Sequence, residues 1–172
     1  MDTKDLSLTV FFAALYAALI IVLAPISFGS VQLRVADVLI PLVALFGWPV
    51  VGGVTIGCLV GNAYFWLGPI DVFAGPIANF VAAVTILLLR KHRLLACIVG
   101  ALPIGIIVGG YLWLFFPPPE ILAFLPVWAA MIVSITISSI IAIAVIGYVL
   151  LTALTRPNVI EPLKSHGLKV LQ

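Results

Sequence analysis

Residues 6–26 read LSLTVFFAALYAALIIVLAPI, and none of these residues carries a charge. About 20 helical residues span the hydrocarbon core of a bilayer. Backbone groups that face lipid must find their hydrogen bonds within the protein, which a helix provides. No evident small-residue cleavage signal closes the stretch, so it predicts a retained first transmembrane helix and not a signal peptide.

The rest of the chain has the same apolar character. Of its 172 residues, 65% are hydrophobic and 8% are charged, with a mean hydropathy of +1.37. Soluble domains carry about a quarter charged residues, and a soluble fold of this size needs a polar exterior. The composition therefore predicts an all-α, multi-pass protein of the cell membrane.

Five further apolar runs follow the first one. The second is too short to cross a bilayer without tilt or flanking help, and the last is long enough to begin with an interfacial segment before Pro126. We expect a single membrane domain over residues 1–172 that ends in a cytoplasmic tail, 155–172. The six predicted helices cover residues 6–26, 36–47, 50–66, 71–89, 94–116 and 121–154.

Basic residues predict the orientation of this bundle. The segment RKHR at 90–93 joins the fourth and fifth helices, and the positive-inside rule places it in the cytoplasm. Six crossings then put both termini on the cytoplasmic side. Among the Lys and Arg residues, Arg34 alone falls outside. The remaining basic residues agree with this arrangement: Lys4, Arg156, Lys164 and Lys169.

Polar side chains gather at the outer end of the predicted bundle, around Arg34. Gln32 and Asp37 flank it, Asn62 lies near the outer end of the third helix, and Asp71 opens the fourth. Ionisable groups at membrane depth are costly, so they are usually paired or functional. The pattern predicts a polar pocket that opens outward.

Each of these residues also has a structural interpretation that the sequence leaves open. Asp71 is placed to cap its helix, and Arg34 and Asp37 are spaced to pair across one helical turn. Gln32 fits an ordinary loop. Asn79, two turns after Asp71, is expected to hydrogen-bond between helices.

Small residues recur at four-residue spacing in two helices. Such ridges let helix backbones approach closely in lipid. The alanines of the first helix fit packing within the bundle or against another protein: Ala13, Ala14, Ala17 and Ala18. The glycines of the third helix are predicted to pack inside the bundle: Gly53, Gly57 and Gly61.

Motifs of enzymes and motors are missing from the sequence. It has no GxxxxGK[ST] phosphate loop and no HExxH motif. Its two cysteines, Cys58 and Cys97, lie in apolar runs and are expected to be buried thiols. We expect no enzymatic activity, metal, cofactor or nucleic-acid partner, and a binding subunit that takes its energy from another protein.

Three motifs in order resemble the QueT family, the substrate-binding S components of energy-coupling factor (ECF) transporters. They are VQLRVADVL at 31–39, GGVTIGCLVGN at 52–62 and GPIDVFAGPIAN at 68–79. The resemblance covers roughly residues 11–90. One position departs from the pattern, since Asp37 stands where Glu is commoner in the family.

The resemblance implies a six-helix S-component fold and a set of partners. These are a transmembrane coupling protein and two cytoplasmic ATPase subunits. It also implies that the coupling protein docks on the alanines of the first helix, where S components carry an Ala-x-x-x-Ala motif. The implied substrate is a queuosine precursor, a 7-deazaguanine-type base.

The polar residues suit such a base. A carboxylate of Asp71 or Asp37 accepts the adjacent N–H groups of a guanine-like edge, and aromatic faces stack on the ring. We expect Asp71 to read that edge, with Arg34 held by Asp37 at the rim of the pocket. Tyr64 and Phe73 are further stacking candidates. The predicted substrate-binding residues are Gln32, Arg34, Asp37, Asn62, Trp66 and Asp71.

Other functions fit the same pattern. An S component for riboflavin or thiamine also stacks its ligand on aromatic side chains. A small membrane enzyme acting on a lipid or prenyl substrate predicts activity without partners. A structural or assembly protein predicts neither an outward pocket nor a ligand.

Overall fold

The computed structural model describes residues 2–27, 33–165 and 167–171, and these residues contain helices and no β-strand. The helices are α1 Thr3–Val22, α2 Val35–Phe46, α3 Trp48–Phe65, α4 Pro69–Leu88, α5 Arg93–Leu112, α6 Val127–Leu154 and α7 Pro157–Ser165. Five of these helices, α1 and α3 to α6, are long and apolar enough to cross a membrane. The chain is therefore a multi-pass membrane protein.

Several boundaries differ from those predicted. α1 begins earlier, because Asp2 forms a capping box with Asp5, and a separate short turn, Ala24–Ser27, follows it. α5 ends at Leu112 and not at residue 116. α6 begins directly after Pro126 and not at residue 121, and the predicted tail contains α7.

The second predicted helix is shorter than a membrane-spanning α-helix and has a different backbone geometry. α2 has 12 residues, of which Val35–Leu42 form a 3-10 helix, and every residue from Ala36 to Leu45 is buried. A 3-10 helix rises about 2.0 Å per residue against about 1.5 Å for an α-helix. α2 thus extends about 22 Å, more than an α-helix of its length, and forms the centre of the bundle.

Glycines allow the helices to approach each other closely. Three glycines of α3 lie against α1. A Cβ on Gly53 would lie 2.5 Å from Cβ of Phe12, and one on Gly57 would lie 2.7 Å from Cβ of Tyr16. One turn on, a Cβ on Gly61 would lie 2.7 Å from Ile20 Cδ1. The glycines therefore face α1, as predicted, and the two helices run parallel.

The central helix packs against an irregular part of α6. Residues Ile140–Gly147 of α6 form a π-helix. A Cβ on Gly147 would come within 2.8 Å of Pro41 Cγ and 3.0 Å of the Val38 carbonyl oxygen. The wider π turn and the glycine thus let α6 approach the narrow 3-10 segment of α2.

Residues near both chain ends meet at one end of the bundle. The ammonium of Lys169 lies 2.9 Å from Asp2 Oδ2 and 3.6 Å from Asp5 Oδ2. The backbone N–H of Leu171 donates to the Leu45 carbonyl over 2.7 Å. The hydrogen bond from Lys169 lowers the pKa of the exposed Asp2 carboxyl. The start of α1, the end of α2 and the tail therefore lie together.

Adjacent glycines of α5 allow a matched test of this packing. We expect Gly109→Ala to destabilise the protein by about 1–3 kcal/mol, because its Cβ would lie 2.6 Å from the backbone Cα of Ile132. No described atom lies within 4 Å of a Cβ on Gly110, so Gly110→Ala should be neutral or slightly stabilising. Thermal unfolding of both variants in detergent measures the difference, and equal melting temperatures would contradict the packing.

Candidate functional site

Buried polar side chains form two hydrogen-bonded groups, and Arg34 of one and Asp37 of the other line the same small cavity. Each helix from α1 to α6 carries at least one buried polar side chain. The seven central residues are each at most 5% exposed. We call them the polar cluster: Tyr16, Arg34, Asp37, Asn62, Asp71, Asn79 and Tyr111.

Local structure brings the charged members together. Arg34 directly precedes the 3-10 helix, and its carbonyl accepts the Asp37 N–H over 3.0 Å. Asp71 lies in the first turn of α4, which begins at Pro69 after Gly68. A φ of 151° at Gly68 favours glycine. The starts of α2 and α4 thus place three charges in one buried region.

Asp71 is the most highly connected carboxylate of the polar cluster. The Tyr111 hydroxyl donates to its Oδ1 over 2.8 Å, and Arg34 Nη2 lies 3.6 Å from the same oxygen. Asn62 Nδ2 donates to the Asp71 main-chain carbonyl over 2.9 Å. These contacts hold the carboxylate between α3, α5 and the start of α2.

Asp37 has a separate set of partners. The Tyr16 hydroxyl donates to Asp37 Oδ1. Asn79 Nδ2 donates in turn to the Tyr16 hydroxyl oxygen over 2.6 Å. Asn79 therefore bridges α4 and α1, which confirms the interhelical role predicted for it. The chain Asn79–Tyr16–Asp37 ties three helices together through buried hydrogen bonds.

Three buried oxygens of the polar cluster have no hydrogen-bond partner among the residues that the structure describes. They are Asp71 Oδ2, Asn62 Oδ1 and Asn79 Oδ1. Most buried polar atoms in native proteins are satisfied, so each exception calls for an explanation. All three are acceptors, and a ligand that supplies N–H or O–H donors would satisfy them.

A small cavity adjoins the polar cluster. It measures about 10 Å³, which is roughly the room that one water molecule requires. Drug-sized ligands occupy pockets of about 300–1,000 Å³, so the cavity is too small for such a ligand in this conformation. The cavity is lined by Arg34, Asp37, Ile104, Val108, Ile135 and Ser139.

The structure brings four of the six predicted binding residues together. Arg34, Asp37, Asn62 and Asp71 belong to the polar cluster. Gln32 lies outside the described residues. Their role in binding stays a prediction, and the geometry changes one detail: Arg34 forms an ion pair with Asp71, while Asp37 accepts from Tyr16.

The aromatic candidates lie apart from the polar cluster. Trp66, which ends α3 with a φ of 41°, is 62% exposed. Tyr64 and Phe73 are exposed as well. Such side chains are enriched where membrane meets water, and this preference explains their outward position. Their role in stacking on a base stays a prediction.

Sequence reasoning missed Tyr16 and Tyr111, which supply the hydroxyl groups of the polar cluster. Both lie in strongly apolar helices, where an aromatic residue resembles ordinary packing. The available signal was the hydroxyl itself, because a buried tyrosine usually finds a hydrogen-bond partner.

The alanines of α1 divide into two faces. Ala13 is half-buried and Ala17 is buried, and the Ala13 carbonyl oxygen would lie 2.7 Å from a Cβ on Gly57. Ala14 and Ala18 are exposed. One pair thus belongs to the α1–α3 contact, and the other remains on the surface of the bundle.

Metal-ligand clusters and disulfides do not enter the site. Among the described residues, no group of three or more His, Cys, Asp or Glu side chains is arranged to hold a metal ion. Cys58 and Cys97 are buried free thiols. Arg34 Nη1 donates to Cys58 Sγ over 3.7 Å.

One of three comparisons with known proteins found a match. No curated protein and no solved structure matches the chain. A family model described as QueT transporter matches residues 6–156, and this match covers most of the chain. The resemblance seen in three short motifs therefore extends as far as residue 156, and the chain belongs to the QueT transporter family.

Proposed function

We propose that this protein is the S component of an ECF-type importer that takes up a 7-deazaguanine-type queuosine precursor from outside the cell. The observation that carries the proposal is the polar cluster, which holds one guanidinium and two carboxylates in the interior of a transporter-family protein. Buried charges of this kind in membrane proteins usually mark a substrate site.

Asp71 is the residue proposed to read the base. Its Oδ1 is held by Tyr111 and Arg34, while no described residue donates to its Oδ2. The adjacent N–H groups of a guanine-like edge suit a carboxylate oriented in this way. Asn62 and Arg34 lie close enough to Asp71 to contact the same ring. A wrong ligand would leave these buried groups unpaired, which gives strong discrimination.

Entry of the base requires the bundle to open. The cavity beside Arg34 and Asp37 holds about one water molecule, and Ser139 on its wall directly precedes the π-helix of α6. π-helical segments are often found at functional sites. We propose that α6 moves away from α2 at this segment, and that Trp66 and Gln32 then contact the ligand.

The proposal includes the membrane orientation and the partners. We propose that the chain is a single domain, that α2 crosses with the five longer helices, and that both termini are cytoplasmic, in agreement with the basic residues at that end. A transmembrane coupling protein and two ATPase subunits supply the energy. The exposed alanines Ala14 and Ala18 form the docking face.

Mass spectrometry of the small molecules that copurify with the protein tests the substrate. We expect a 7-deazaguanine derivative that is absent from a mock purification. Uptake of that molecule by cells should require this chain together with an ECF coupling protein and its ATPases. A copurified flavin or thiamine, or uptake independent of the ATPases, would contradict the proposal.

A further inference from the structure

We infer that the connection between α5 and α6, residues 113–128, inserts into the lipid interface at the end of the bundle that holds Asp71. We call these residues the anchor segment. Three features support the inference: the exposure of apolar side chains, the hydrogen bonds of the backbone, and the continuity of the segment with the lipid-facing surface. None of them depends on the identity of the substrate.

The anchor segment is apolar but buries none of its side chains. Its sequence is WLFFPPPEILAFLPVW, in which Glu120 is the one charged residue. The structure describes every residue of this segment, and none of them is buried. A contiguous exposed apolar surface marks contact with a partner or with a membrane. Something other than this chain therefore covers these side chains.

A short 3-10 helix, Glu120–Leu122, orients the most exposed side chains of the segment. Residues three apart eclipse one another in a 3-10 helix, and the N–H of Ala123 donates to the Glu120 carbonyl over 3.0 Å. Ile121 and Phe124 therefore share one row, and they are 83% and 79% exposed. Glu120 lies on the neighbouring row, so its carboxylate stays in water when the apolar row enters lipid.

The backbone of the anchor segment suits an apolar environment, in which every unsatisfied N–H group is costly. Prolines at 117–119 and at 126 have no N–H group. Six further N–H groups between residues 114 and 125 donate to carbonyls three or four residues back, over 2.9–3.1 Å. The indole N–H of Trp113 donates to the Gly110 carbonyl over 2.9 Å. Most donors of this non-helical segment are thus absent or bonded, which lowers the cost of contact with lipid.

The anchor segment continues the lipid-facing surface of the two helices that it joins. Leu114 follows the exposed apolar residues of α5, and Trp128 precedes those of α6. Tryptophan is enriched where membrane meets water, and the segment has a tryptophan at each end, Trp113 and Trp128. Continuity and composition therefore favour the bilayer over a partner protein as the surface that covers the segment.

Insertion of the anchor segment determines the depth of the polar cluster. Tyr111, whose hydroxyl donates to Asp71 over 2.8 Å, precedes the segment by two residues. Phe115 of the segment lies beside the connection between α3 and α4, because a Cβ on Gly68 would be 3.3 Å from Phe115 Cζ. The anchor segment therefore holds Tyr111 and Asp71 close to the surface of the membrane.

Fluorescence quenching in lipid nanodiscs tests the inference on the full-length chain. Ile121→Cys, Phe124→Cys and the control Glu120→Cys are each labelled with the fluorophore NBD in phosphatidylcholine nanodiscs, which leave both faces of the bilayer accessible. The quenchers are aqueous iodide and a phosphatidylcholine with a doxyl group on its acyl chain. All three positions are exposed, so no packed side chain is lost. The native cysteines are buried, and the wild-type chain treated with NBD measures their background.

We expect the doxyl lipid to quench the labels at 121 and 124 at least about threefold more strongly than the label at 120, because interfacial segments bury their apolar face below the headgroups. Iodide should give the reverse order. Labels at 121 and 124 that iodide quenches and the doxyl lipid does not would overturn the inference, since the segment would lie in water. Labels shielded from both quenchers would also overturn it, because a second copy of the chain would then cover the segment.

Discussion

Substitution of Asp71 by Asn is expected to abolish substrate binding, with an affinity loss of at least about 100-fold. A hydrogen bond to a charged group contributes about 1.5–3 kcal/mol, the guanine-like edge donates two such bonds to the carboxylate, and 1.4 kcal/mol corresponds to a factor of ten. Asp71 is fully buried and has Arg34 at 3.6 Å and Tyr111 at 2.8 Å. The Asn amide also turns N–H groups toward the N–H edge of the base.

Calorimetry with 7-deazaguanine on the purified variant measures this effect, and the thermal unfolding of the ligand-free protein reports whether it is folded. Glu120→Gln is the matched control, because Glu120 is an exposed acid in the segment between α5 and α6. The control should bind like the wild type. An Asp71→Asn variant that is folded and binds within about threefold of the wild type would remove Asp71 from the site.

The sequence predicted which charged residues lie together in the polar cluster better than it predicted which of them form an ion pair. Charged residues are so rare in this chain that Arg34, Asp37 and Asp71 stand out, and all three lie in the polar cluster. Their spacing suggested a local pair between Arg34 and Asp37. The observed ion pair joins Arg34 to Asp71, because packing of α2 against its neighbours brings the starts of α2 and α4 together.

For the fold as well, the sequence predicted where the helices lie but not their detailed backbone geometry. Length and hydropathy predicted six helices, of which five are long and apolar enough to span a membrane, since an apolar run of about 20 residues leaves few alternatives in lipid. They gave no indication that Val35–Leu42 would form a 3-10 helix or that Ile140–Gly147 would form a π-helix. Both segments lie where α2 and α6 pack closely, so tertiary contacts determine their backbone geometry.

Substitution of both Ala14 and Ala18 by Leu is expected to reduce ATP-driven uptake at least about tenfold and to leave substrate affinity within twofold of the wild type. Both alanines are exposed on α1, on the surface where we propose that the coupling protein docks. Small residues at this spacing let two helices approach closely, and leucine side chains would hold them apart. Lipid accepts leucine readily, so the isolated chain should keep its stability.

Uptake into cells that express the complete transporter, measured beside calorimetry on the isolated chain, separates docking from binding. Gly110→Leu is the control, because it enlarges an exposed small residue of α5 that has no described atom within 4 Å of its Cβ position. It should leave uptake unchanged. Ala17→Leu should instead destabilise the chain itself, since the Ala17 side chain is buried. Full uptake by the Ala14→Leu, Ala18→Leu variant would show that the coupling protein binds another face.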